Sequence, residues 1–130
     1  MDKQSFIHHL RLILDPYDTL QHLECDGLTR ILHKILSDNE IEHTVYTGEV
    51  IHKGNAETIP IHFWIDIEDL RIDYRARMWL GETPDIPHGI FHPANYPKIY
   101  YQGNSIKLAL LPDVLFQILT CPFPTINENV

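Results

Sequence analysis

Two cysteines, Cys25 and Cys121, are all that 130 residues provide. That is too few for a disulfide framework, so a stapled secreted scaffold is excluded and both are expected as free thiols, either of which can be reactive. No apolar run approaches the roughly 20 residues that span a bilayer. Met1-Asp2-Lys3-Gln4-Ser5-Phe6 lacks the charged and apolar regions of a secretory leader, and a cytoplasmic protein without membrane contact is expected. Positive charge is scarce: 10 Lys and Arg stand against 18 Asp and Glu, giving a net -8. Such a field repels phosphate backbones, so nucleic acid is not an expected partner. Internal repeats and low-complexity segments are also missing. What is there, 44% hydrophobic and 22% charged residues, suits one ordinary globular core, a single domain over 1–130.

Phe6, Leu10, Ile13 and Leu14 recur at helical spacing and Asp15-Pro16 ends the pattern, which predicts a short amphipathic helix. A polar connector from Tyr17 to Glu24 leads to Cys25-Asp26-Gly27. Beyond it Leu28, Ile31, Leu32, Ile35 and Leu36 form the i, i+3, i+4, i+7, i+8 stripe of a buried helix, stopped at Ser37-Asp38-Asn39-Glu40. His43 to His52 reads as a strand, and Lys53-Gly54-Asn55-Ala56 as a turn. From Ile59 the alternation is strict: Ile61, Phe63, Ile65 and Ile67 on one face, His62, Trp64 and Asp66 on the other. An acidic turn at Glu68-Asp69 leads to a strand over about 70–78. The prolines and glycines of 81–103 predict a long loop that can carry short extended pieces and borders a site. Pro112-Asp113 opens a short helix, Val114 to Leu119, before an irregular tail from Cys121. The expected fold is α+β, with N-terminal helices packed on a small antiparallel sheet and a short C-terminal helix.

Cys25 lies three residues before Leu28, at the first turn of the second helix. There the partial positive charge and free N–H groups of a helix start favour a thiolate and can hold an oxyanion. Free cysteine is also among the most buried residue types, so a structural cysteine is the competing interpretation. His62 stands where a β-branched strand would readily take an apolar residue. Asp73 depends on the hairpin: with an even loop at Glu68-Asp69 the two side chains share a face, directly opposite or diagonal, whereas an odd loop separates them. Together they give a nucleophile, a base and a residue that orients the base, the set needed for thiol acyl transfer. Gln21 is a candidate oxyanion donor if it is not solvent-exposed, and Trp64, on the face of His62, a candidate cleft wall.

Cys25-Asp26-Gly27-Leu28 opening a helix, His62-Phe63-Trp64-Ile65-Asp66 on a strand and Ile72-Asp73-Tyr74 on the next resemble the core of transglutaminase-like proteins. These belong with papain-like cysteine peptidases and arylamine N-acetyltransferases in a wider Cys-His-Asp superfamily. The resemblance runs from Cys25 to about Arg75. It implies a papain-like or transglutaminase-like core, a thiol acyl-enzyme, a protein or peptide substrate and no cofactor. An acetyltransferase's Arg-Gly-Gly before the cysteine is replaced here by His22-Leu23-Glu24. Peptide or isopeptide hydrolysis is the first expectation and glutamine transamidation the second.

Two other classes compete. His88-Gly89-Ile90-Phe91-His92, with His62 or Asp85, could bind zinc, although flanking prolines oppose the helix that usually presents such a pair. A non-catalytic binding module could instead display Tyr96, Tyr100 and Tyr101 to a partner. Arg71, Arg75 and Arg77 would suit an anionic substrate group or a nearby carboxylate partner, or form a solvated strand face.

Overall fold

The structure, a computed structural model, describes residues 2–121. Helix α1, Lys3–Leu14, starts where the Asp2 carboxylate accepts the Ser5 N–H at 2.7 Å, the capping that short acidic side chains provide. Pro16 cannot continue it, and the chain tightens into a 3-10 turn over Asp15–Thr19. Helix α2, Cys25–Asp38, buries Leu28, Ile31, Leu32 and Leu36, the stripe that the spacing predicts. Strands β1 (Thr44–His52), β2 (Thr58–Ile67), β3 (Leu70–Asp73), β4 (Gly89–Phe91) and β5 (Ile99–Ile106) follow, with α3 (Ala76–Leu80) between β3 and β4 and α4 (Asp113–Thr120) last. The fold is α+β, with four helices and a five-stranded antiparallel sheet in the order β4-β3-β2-β1-β5. The tail expected after Cys121 lies outside the described residues.

Two expectations need correction. The strand over 70–78 stops at Asp73, because its Oδ1 accepts the N–H groups of Arg75 at 2.9 Å and Ala76 at 3.1 Å and turns the chain into α3. The segment 81–103 holds more than the short extended pieces expected of it. It carries β4 and most of β5, which pairs with β1 from Val45↔Ile106 to His52↔Ile99.

Core residues cover both faces of the sheet. Leu10, Leu14, Ile31 and Leu36 of the helices meet Ile65 and Ile72 on one side. Val50, Ile59, Trp64, Leu80, Ile86 and Ile99 form the core of the other. β2 is therefore buried at neighbouring positions, Trp64 and Ile65, as a central strand must be. Its pairing shifts between Gly48↔His62 and Val50↔Ile59, so Pro60 and Ile61 together oppose Glu49. This is a bulge, where proline's missing donor costs no ladder bond. It also breaks the alternation, so that both Ile59 and His62 turn inward.

The sheet is curled. β4 and β5 are its two edges, four strand spacings or roughly 19 Å apart if flat. Yet the rings of Phe91 and Tyr101 lie 6.3 Å apart. Gly48 and Gly103 face each other across β1 and β5, where a Cβ on either would run into the opposite backbone, so only glycine permits this approach.

Ile67↔Leu70 closes the β2–β3 hairpin over Glu68 and Asp69. Glu68 takes φ 53°, a left-handed conformation that penalises any side chain. Glu68→Gly is expected to raise unfolding free energy by about 0.5–1 kcal/mol, read by urea titration. No gain would mean that the glutamate is held there by contacts worth as much.

Candidate functional site

The hairpin register places the site. Ile65↔Ile72, Asp66↔Arg71 and Ile67↔Leu70 pair, so Asp73 falls opposite Trp64 and diagonal to His62. The two-residue turn thus gives the second of the two geometries that an even loop allows. His62 Nε2 donates to Asp73 Oδ2 at 2.8 Å, with the ring wholly excluded from solvent. Tyr101 donates its hydroxyl to the same oxygen at 2.7 Å. With the Arg75 and Ala76 N–H groups on Oδ1, the carboxylate has four donors and is fully satisfied.

Burial alone would push the Asp73 carboxyl up. The charge and hydrogen bond of His62, the Arg75 N–H and the Tyr101 hydroxyl outweigh it and hold the group below the usual carboxylate range. Burial likewise pulls His62 down, but the charge and hydrogen bond of Asp73, joined by the Cys25 thiol, carry it up to about 10. With Nε2 occupied, Nδ1 is the nitrogen left for the thiol, and among the described residues no hydrogen bond ties it down.

Below the ordinary histidine value near 6.5, the folded and the unfolded chain both hold this proton, and the pair stabilises the fold fully. Between there and about 10 the unfolded chain releases it while the folded chain keeps it, so stability falls as pH rises through that window. Urea midpoints from pH 6 to 10 should show this decline, and Asp73→Asn should flatten it. A decline of equal size in the variant would assign it to other groups.

Cys25 is the first residue of α2 and is partly exposed. It lines a small cavity with Phe63, Ile72, Asp73, Tyr74 and Arg75, between the start of the helix and the sheet. No side chain caps α2 at Glu24. Among the described residues, the Cys25 and Asp26 N–H groups therefore remain available to an anion, whereas that of Gly27 is taken by the Asp26 carboxylate at 2.7 Å.

Arg75 holds the approach to Cys25. Its guanidinium donates to Leu23 O at 2.7 Å, to Asp18 Oδ1 at 2.6 Å, to Tyr74 O, and to Asp18 O and Leu20 O. Arg71 forks onto Asp66 at 2.7 and 2.9 Å, and Arg77 gives Nε to Ile86 O. Arg71 and Arg75 thus take nearby carboxylate partners, Asp66 and Asp18, and these two form neither a free anion site nor a solvated face.

Gln21 is exposed, and its amide nitrogen donates to Asp18 O at 3.0 Å. It lines a neighbouring polar cleft with Asp18, Arg77 and His88 rather than the cavity of Cys25. Trp64 is buried under the site, stacked on Tyr46 with centroids 5.8 Å apart and on His62 at 6.5 Å, and edge-on to Tyr101 at 4.9 Å. It supports the imidazole from below rather than walling an open cleft. His88 and His92 turn to different carboxylates, Asp18 at 2.8 Å and Asp69 at 3.6 Å. Among the described residues no three His, Cys, Asp or Glu side chains gather as a metal site. Of the three tyrosines suited to an interface, Tyr96 packs on Phe91, Tyr101 bonds Asp73 and Tyr100 is exposed.

Two participants escape sequence reasoning, Tyr101 and Arg75. Both make contacts across long stretches of chain, and neither belongs to a short motif. Compared with protein-family models, curated proteins and solved structures, the chain matches none of them.

Proposed function

We propose that Cys25, His62 and Asp73 act as a triad for thiol acyl transfer, with peptide or isopeptide bond hydrolysis as the reaction. One observation carries this reading: a solvent-excluded imidazole gives Nε2 to a saturated carboxylate and leaves Nδ1 without a hydrogen-bond partner among the described residues, while Cys25, at a helix start, lines the same cavity as Asp73. A merely structural His-Asp pair has no need of the third partner. The order helix-borne Cys, strand-borne His, next-strand Asp is that of the transglutaminase-like and papain-like proteins, and we assign the chain a core of that kind.

In the proposed reaction the thiol proton already rests on Nδ1 of the imidazolium that Asp73 holds, and the sulfur attacks the carbonyl carbon. The oxyanion meets the open N–H groups at the start of α2. The imidazolium, held by Asp73, returns its proton to the leaving amine as the C–N bond breaks. Water then attacks the thioester with its proton passing to Nδ1, and collapse frees the acid and the thiol. If an amine replaces water, the same steps give transamidation. Cys25 alone of the three has solvent exposure, so the acyl group must arrive on its outer side.

The test is alkylation by iodoacetamide across pH in a Cys121→Ser background, with acetylation by p-nitrophenyl acetate followed by intact mass. Cys25 should react faster than a model thiol near neutrality, lose that advantage in His62→Ala, and carry a transient acetyl group. Reaction at the rate of a model thiol, indifferent to His62, would sink the catalytic reading and favour a binding module on the same fold.

A further inference from the structure

Asp73 Oδ2 has two donors, and only one of them belongs to the triad. The other, the Tyr101 hydroxyl, comes from β5, at the far edge of the sheet from β4. β5 lies three strand spacings from β3, roughly 14 Å in a flat sheet, beyond what a tyrosine and an aspartate can bridge. The contact exists because the sheet curls. Pairing of Tyr101 with Val50, a residue of the core that contains Trp64, sends the phenol inward.

We propose that Tyr101 is a positioning residue of this site: its phenol shares the carboxylate oxygen that accepts from His62, fixing the Asp73 rotamer and limiting the negative charge that the imidazole feels. The inference rests on the reading of Cys25 and His62 as catalytic partners. Three features support it. The two bonds to Oδ2 are 2.7 and 2.8 Å long, in the range of charge-assisted bonds, so the donors compete for one oxygen's electron density. Oδ1 is tied to two backbone N–H groups, so the carboxylate cannot rotate to offer each donor its own oxygen. Arg71, forked onto Asp66, lies 4.7 Å from the Tyr101 ring centroid; a cation over the face draws density from the ring and makes the hydroxyl a stronger donor.

The consequence concerns proton return. An imidazolium facing an undiluted carboxylate holds its proton too firmly to release it to a leaving amine, and general acids work best when their pKa is near the working pH. Tyr101 tempers that hold.

Tyr101→Phe keeps the ring and removes only the hydroxyl. By 15N and 1H NMR the His62 Nε2–H resonance is expected to move downfield, because its bond to Asp73 strengthens. Turnover of a peptide p-nitroanilide, whose leaving amine needs that proton, should fall about tenfold in kcat with KM unchanged, a typical effect for groups that orient a reacting group through one intermediate. 3-Fluorotyrosine at position 101, a stronger donor in nearly the same volume, should move the resonance upfield; it also serves as the test if the phenylalanine variant does not fold. A role in packing alone would lower the melting temperature and leave the resonance unmoved, and that result overturns the proposal. Failure of the catalytic reading would show separately, as a wild-type Cys25 no more reactive than a model thiol.

Discussion

Asp73→Ala is expected to cost about 3–5 kcal/mol of unfolding free energy, the range for removing one partner of a buried charged pair. For a domain of this size that is a fall in melting temperature of roughly 11–18 °C. The carboxylate is buried and accepts from His62, Tyr101, Arg75 and Ala76. Alanine orphans all four donors at once, and an unmade buried hydrogen bond costs more than a made one contributes. It also removes the acceptor that stops β3 and starts α3, so the loss is structural as well as electrostatic. Asp73→Asn, which can still accept from some of these groups, should lose less. Urea unfolding of the two variants measures both effects. A cost under about 1 kcal/mol for the alanine variant would show the polar cluster to be dispensable.

The second large effect is on chemistry. His62→Ala should lower the rate of acyl-enzyme formation by about 10³–10⁴-fold, and Cys25→Ser by a similar factor. Removing both should cost little more than removing one, because groups that act as a unit are not additive. Stopped-flow release of p-nitrophenol from wild type, each single variant and the double variant provides the test. Additive losses would mean that thiol and imidazole act independently, and the triad would have to be abandoned. Because His62 is fully buried and rests on Trp64, its alanine variant should also lose stability, so folding must be checked by circular dichroism before rates are compared.

The two N-terminal helices and the central hairpin were legible because they are local. The stripe of α2 and the alternation of β2 need only a few residues to declare themselves, and the even turn at Glu68-Asp69 already limited how His62 and Asp73 could meet. β5 was hidden because Gln102 and Gly103 read as loop residues. They form a strand because β1 lies alongside and because glycine is required where the two backbones approach. The early end of β3 was hidden for another reason: a side chain, Asp73, competes with the ladder for the backbone N–H groups of Arg75 and Ala76. Which partners Arg75 takes was hidden because the Leu20 and Leu23 carbonyls it satisfies lie more than 50 residues away in sequence. For β5 and Arg75 the missing information is a partner that no window of neighbouring residues contains, whereas the end of β3 is set within three residues by which acceptor the Arg75 and Ala76 N–H groups take.

The curl of the sheet also bears on how the protein is made. Cys25, His62 and Asp73 leave the ribosome before β5, and the Tyr101 bond closes a loop of 28 residues onto Asp73. That bond forms only once the β1–β5 ladder does, whose pairs lie 47 to 61 residues apart, further than the 37 that separate Cys25 from His62. Such non-local pairings form late, since loop entropy is spent before the contacts return it. A nascent or partly unfolded chain would then hold the thiol and the imidazole without the far-edge phenol. Competence for chemistry would lag behind the α2–hairpin core, a delay that refolding followed at once by tryptophan fluorescence and by Cys25 alkylation would resolve in time.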